Sequence, residues 1–277
     1  MNAHLALALG VASLPRIYAP SVSTEGYSPV PAPRMEMRMN VASATTAPWI
    51  DANGWRYLRG LKKASYLNLP AGAAPLAAAE AFAYGIEAVI EPAPGDEAPL
   101  AAMLHFLQSV ETTELPIRAN IGMVDDGSPG FEEVLNLMGR RNLAYKVVKT
   151  PDPKLDLNVR LGSPEYPAES AKNPSDFAAR VRERLSDSRR VVRIFGTYNV
   201  IAHVTGDLQY TRLHLLNYGK RPAKDVRVRV AGEFSKVIVA EANDPSLRPM
   251  DQAVANNGTE FTVPQITTYA VVDLRRR

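Results

Sequence analysis

Two adjacent carboxylates, Asp125 and Asp126, follow the apolar run Ile117–Val124 and precede Gly127, Ser128 and Pro129. If that run is a central strand, both acids lie at its carboxyl end, where open α/β sheets bind ligands. Such a pair could position a sugar hydroxyl, or hold a divalent cation through oxygen. The plainer alternative has Asp126 closing the turn and Asp125 in solvent. Joined by a third group such as Glu80 or Asp51, the pair are candidates for hydrolytic carboxylates. Upstream, Asp51-Ala52-Asn53-Gly54 is a tight-turn signal between two short extended pieces. It brings Trp49 and Trp55 close, either as a plug at a core edge or, with Asn53, as an aromatic platform for a sugar ring. Asp125, Asp126, Trp49, Asn53 and Trp55 are therefore the candidate ligand-binding residues.

Other chemistry is harder to place. The chain has no cysteine, which removes disulfides, thiolate metal ligands and a cysteine nucleophile together. Ser128 stands at a strand-to-helix junction, but it lacks the flanking glycines of a nucleophile elbow, and Pro129 after it makes it a helix N-cap. The histidines are His4, His105, His203 and His214. Pairing Thr205 with Tyr210 sets His203 opposite Arg212 and His214 opposite Ile201, on one face of a hairpin. With no carboxylate beside them, an exposed or interdomain face is expected there, and no metal site. No glycine-rich phosphate loop follows any strand, so neither a nucleotide nor another cofactor is expected.

The elements that must carry these residues read as follows. Residues 1–13 resemble a short secretion signal, with Leu5–Val11 apolar and small residues after it, though no Lys or Arg precedes the apolar run. A secreted or periplasmic location is the expectation that follows. Residues 14–48 form a proline-rich extended lead-in. Residues 49–188 alternate strands and helices, which implies an open, mostly parallel sheet with helices on both faces. Within it, Phe131, Val134, Leu135 and Met138 make one buried stripe of a helix, and Gly72–Tyr84 is an alanine-rich helix. In the helix that Asn173 caps, Phe177, Val181 and Leu185 point inward. Residues 189–277 run as short strands without helices, and Val226, Val228 and Val230 alternate with Arg227 and Arg229. That is an antiparallel β-sandwich. The short junction at Ser186–Arg190 implies halves that share an apolar interface and do not move freely.

The 277 residues carry 32 Lys+Arg against 29 Asp+Glu, a net charge of +3. No basic tract points to nucleic acid, and no apolar run reaches the roughly 20 residues of a membrane span.

The helix FEEVLNLMGRRNLAYKVV and the β-half pieces VVRIFGTYNVIAHVTG, YTRLHLLNYG, KDVRVRVAG and EFTVPQITTYAVVDL resemble the rear part of bacterial multidomain glycoside hydrolases of the β-galactosidase type. There, an α/β domain similar to class I glutamine amidotransferases follows the catalytic barrel, and a small β-sandwich closes the chain. The resemblance covers about Ile117–Leu274. It implies an amidotransferase-like α/β domain, a carbohydrate ligand, and association with a second copy or a partner chain through the α/β half. A full barrel takes about 250 residues, which does not fit here, and the amidotransferase cysteine is missing. A non-catalytic carbohydrate-associated or assembly module is therefore expected, with a small glycosidase-like hydrolase as the alternative.

Overall fold

The computed structural model describes residues 16–17, 23–39, 46–111, 115–128 and 130–276. The expected secretion signal lies outside them. In chain order the elements of the first half are β1 (Arg16–Ile17), β2 (Ser28–Pro29), β3 (Arg34–Met39), β4 (Thr46–Asp51), α1 (Gly54–Leu58), β5 (Lys63–Tyr66) and α2 (Ala74–Ala83). They continue with β6 (Glu87–Ile90), α3 (Glu97–Ser109), β7 (Ile121–Val124), α4 (Phe131–Arg140), β8 (Tyr145–Val148), β9 (Leu157–Arg160) and α5 (Pro174–Leu185). The second half has only strands: β10 (Val192–Phe195), β11 (Val200–Gly206), β12 (Tyr210–Asn217), β13 (Ala223–Ala231), β14 (Lys236–Glu241), β15 (Met250–Ala255), β16 (Gly258–Ile266) and β17 (Tyr269–Arg275).

The parallel strands form two sheets, not the single open sheet the alternation implied. One has the order β1-β6-β5-β2 and the other β8-β7-β9. The split has a visible cause. The run Ile117–Val124 is not one strand: pairing starts at Ile121, while Ile117 bridges to Thr205 and Arg118 donates its backbone N–H to Val204. The first residues of the run are thus drawn onto the edge of β11. The lead-in is also more ordered than its prolines suggest, since β1 and β2 pair with β6 and β5, and β3 forms a hairpin with β4.

The α4 stripe Phe131, Val134, Leu135 and Met138 packs with Phe177, Val181 and Leu185 of α5 over β7 and β9, as the periodicity requires. The start of α4 differs from expectation. Its N-cap is Gly130 at φ 79°, and Ser128 makes no cap bond. Pro129 lies outside the described residues. Asn173 does cap α5, accepting from the Asp176 N–H.

The antiparallel strands form sheets β11-β12-β17-β14 and β10-β13-β16-β15, which face each other across one apolar core. Val226, Val228 and Val230 point into that core. The first of these sheets is buried on both faces. Leu213, Leu215, Val272 and Leu274 face its companion sheet. Leu216, Tyr269 and Val271 face a second core built on α2 and α3. Two-sided burial leaves every residue of β12 (YTRLHLLN) after Tyr210 buried, so its polar and apolar residues show no simple alternation. In contrast β15 is exposed along its whole length and carries little apolar signal.

Candidate functional site

The alanine-rich helix α2 contains one charged side chain, Glu80, and it is wholly inaccessible to solvent. Its Oε1 accepts from the Asn53 N–H at 2.7 Å and from the Tyr218 hydroxyl at 2.6 Å. Its Oε2 accepts from Asn53 Nδ2 and from the Tyr66 hydroxyl, both at 2.9 Å. Tyr66 is in turn hydrogen-bonded to Tyr57. An ionised carboxylate has about four acceptor positions, and protein donors meet this one four times. Burial pushes the Glu80 carboxyl up, against the pull of those donors. It also pushes the Tyr57, Tyr66 and Tyr218 hydroxyls far up, which keeps them protonated and donating. Arg56, beside this cluster, donates to Asn53 Oδ1. The hub therefore ties together the start of α1, strand β5, helix α2 and, through Tyr218, the antiparallel half.

Next to the hub lies a layer of rings between the halves. Tyr84 stacks on His203 with centroids 4.2 Å apart, and His203 lies 6.0 Å from His214. The Nδ1 of His214 is 2.6 Å from the Tyr269 hydroxyl. Burial lowers His203 to about 4 and holds His214 well below the ordinary imidazole value, so both rings are neutral. The two histidines do share a face, but the expected register is two residues out: His203 pairs with His214 and Thr205 with Arg212. The turn is the reason, because Asp207 accepts from the Gln209 and Tyr210 N–H groups and closes a longer loop. A cavity of about 30 Å³ beside this layer is lined by Trp55, Tyr84, Asn136, Tyr145 and His203. That is room for a water or two, well short of a ligand pocket.

The aspartates at the end of β7 are engaged in structure. Asp125, 8% exposed, accepts a forked pair from Arg59 at 2.7 and 3.2 Å and the Gly127 N–H at 3.0 Å. The expectation of a solvated Asp125 is thus overturned, and the cause is the guanidinium that α1 delivers. Arg59 also holds the Asp125 carboxyl below the usual range. Asp126 is bound by the Ser128 N–H at 3.0 Å and by its hydroxyl, an ordinary turn. Neither acid hydrogen-bonds to Glu80 or Asp51. Asp51 takes Trp49 Nε1 at 2.6 Å and Arg34 Nε at 3.1 Å.

Gly54–Leu58 is helix, not a second extended piece, so Trp49 and Trp55 flank a strand-to-helix turn. Both pack against the α4/α5 core, and guanidiniums lie over them: Arg140 over Trp49 at 4.5 Å and Arg56 over Trp55 at 4.2 Å. Of the candidates, the fold brings Asn53 and Glu80 into direct contact and leaves the aspartate pair apart from them. Sequence reasoning missed Tyr66, Tyr218 and Arg59. The readable signal was Glu80 itself, a lone charge in an apolar helix. The other buried carboxylates among the described residues also bind backbone: Asp96 accepts from Gly72, and Glu241 from Asn243, Asp244 and Thr267. No group of three or more metal-ligating side chains is found among the described residues. No helix among them is long and apolar enough to cross a membrane.

Solved structures offer a likeness where sequences do not. The α-L-fucosidase isoenzyme 2 from Paenibacillus thiaminolyticus matches 81% of this chain and 62% of its own, at 10% identity and a TM-score of 0.56. In fold, the chain is similar to part of that fucosidase. A catalytic mutant of a GH42 β-galactosidase from G. stearothermophilus is matched at 10% identity and TM-score 0.40, over 83% of this chain and 52% of that one. The β-galactosidase from Rahnella sp. R3 is matched at 9% identity and TM-score 0.41, over 84% and 53%. The chain thus spans less than two thirds of each of these proteins. No family model matches it, and no curated protein does.

Proposed function

We propose that this chain is a non-catalytic, carbohydrate-associated or assembly module of glycoside-hydrolase type, with an amidotransferase-like α/β domain and a closing β-sandwich, and that it is exported. The observation that carries this reading is Glu80. Its carboxylate is met by four protein donors and closed to solvent, so it holds elements together instead of facing a substrate. Glycoside hydrolysis takes two carboxyl groups across an open cleft, and Asp125, Asp126 and Asp51 are each tied into local structure. The fold likeness to a fucosidase supports the carbohydrate association.

A glycan-array screen beside a panel of chromogenic glycosides tests it. The expected result is glycan binding with no release of chromophore. Turnover that disappears in Asp125→Asn or Glu80→Gln variants of retained fold would overturn it in favour of a small hydrolase. Export is tested separately by N-terminal sequencing of protein recovered from its host, with a start near Leu14 expected.

A further inference from the structure

We propose that the junction between the two halves is a binding site for an acidic glycan, a sugar chain bearing uronate or sulfate groups. This rests on the carbohydrate-associated reading above and names its ligand class. From Arg180 to Arg193 the chain holds six arginines and two carboxylates, Glu183 and Asp187. The fold gathers three of these arginines, Arg182, Arg190 and Arg193, around Asp187. Helix α5 ends at Ser186, which turns the chain at φ 64°. The short turn after it presents Asp187 to three guanidiniums: Arg182 at 2.7 Å, Arg190 at 3.3 Å and Arg193 at 3.3 Å. Beside them an open depression of about 380 Å³ is bordered by Arg141, Arg182, Glu183, Ser186 and Asp187. That volume lies in the range of small-ligand sites, about 300–1,000 Å³.

Two observations point to an external anion. First, the donors are not exhausted. A guanidinium has five N–H groups, and Arg182 commits Nε and one Nη to Asp187. Second, the cations outnumber the anions: Arg182, Arg190 and Arg193 meet the single carboxylate of Asp187, and Arg141 stands at the rim of the depression with Glu183. A bound anion would meet that excess of positive charge. Asp187 already shows what this cluster binds, since it is a carboxylate gripped by arginines.

The same chemistry continues onto the outer face of the β10-β13 pair. There Arg193 lies opposite Arg229, and Phe195 opposite Arg227. The guanidinium of Arg193 stacks on Phe195 at 4.7 Å, and the Arg227 side chain is 62% exposed. Arginine and aromatic side by side suit a sugar ring that carries a charge. The interspersed carboxylates favour a glycan over nucleic acid. Glu183, at the rim of the depression, can accept from a sugar hydroxyl, whereas a phosphate backbone favours an unbroken cationic track.

The test is titration calorimetry of the full chain with oligogalacturonate, a sulfated dextran oligomer, a neutral dextran oligomer and single-stranded DNA. Uronate or sulfate is expected to bind, more weakly as salt rises, and the better of the two identifies the anion. Arg182→Gln should lower that affinity by about ten-fold, as for one charge-assisted fork, with a melting temperature lowered by only about 1–2 °C, as for a half-exposed ion pair. Arg227→Gln should lower it less. Equal affinity in both variants, tighter binding of DNA, or binding of neither acidic oligomer overturns the proposal. If the neutral oligomer binds and Arg182→Gln leaves it untouched, the carbohydrate-associated reading stands and the acidic site fails. If no sugar binds here or on the array, both fail.

Discussion

Glu80 shows how a residue that looks catalytic by type becomes structural by context. Replacing it with Gln keeps the shape but turns one acceptor into a donor facing donors, so about 2–4 kcal/mol of stability should be lost in urea unfolding. Tyr218→Phe removes one arm only and should cost about 1–2 kcal/mol. The neighbouring titrations run in opposite senses. His203 is lowered from 6.5 to about 4 by burial. Its contribution is complete above pH 6.5 and is lost as pH falls toward 4, up to about 3 kcal/mol. Glu80 is raised, so its own contribution is complete below its ordinary value of 4.5 and declines as pH rises through the folded value. His203→Phe should keep the stack on Tyr84 and flatten the acid limb of a stability-pH curve. A limb as steep as in the parent would disprove that assignment. The aspartate pair should separate in thermal melts. Asp125→Asn loses the Arg59 fork and about 1.5–3 kcal/mol, while Asp126→Asn melts like the parent, because Asn makes the same turn. The sequence marked both acids as the end of a strand, but Arg59, reached only through the fold, decides what Asp125 does.

At the scale of elements, legibility followed locality. The α4 stripe, the Asn173 cap of α5 and the valine alternation of β13 depend on neighbours in the chain, and all are present. Features that depend on distant partners were hidden. The first residues of the expected strand before Asp125 pair with β11 instead, and β15 lies on a solvent-exposed edge that leaves no hydrophobic period. Helix α1 was hidden for another reason: its turn signal is real, but Asn53 directs its side chain to Glu80 instead of nucleating a hairpin. A glycine there is equally non-local. A Cβ on Gly54 would come within 2.2 Å of the Tyr84 hydroxyl, although nothing nearby in sequence requires glycine. Gly54→Ala should cost about 1–3 kcal/mol by overpacking, read by chemical denaturation. A near-neutral result would mean that Tyr84 can swing aside from His203.

For the whole molecule, the expected apolar interface between the halves is present: Ile201, Leu216, Tyr218, Tyr269 and Val271 share one core with α2 and α3. Asn142 holds β11 by its side chain, donating to Val200 O at 3.0 Å and accepting from the Ala202 N–H at 2.7 Å. Arg118 reaches Thr211 and Ala231, and Arg212 reaches the carbonyl of Glu111. Limited proteolysis at Ser186–Arg190 should therefore release no stable halves, and residues 189–277 expressed alone should bind a hydrophobic dye. Two folded fragments would refute this. One consequence of the doubly buried sheet concerns time rather than stability. Its central strand β17 pairs with both β12 and β14 and supplies Tyr269 and Val271 to the face that covers α2. The helix is formed early in the chain, and its cover arrives only with β12 and is completed by β17. Until then the alanine-rich surface stands bare, so folding must wait on contacts of long sequence separation, the slow kind. During synthesis this stretch is the natural target for a chaperone.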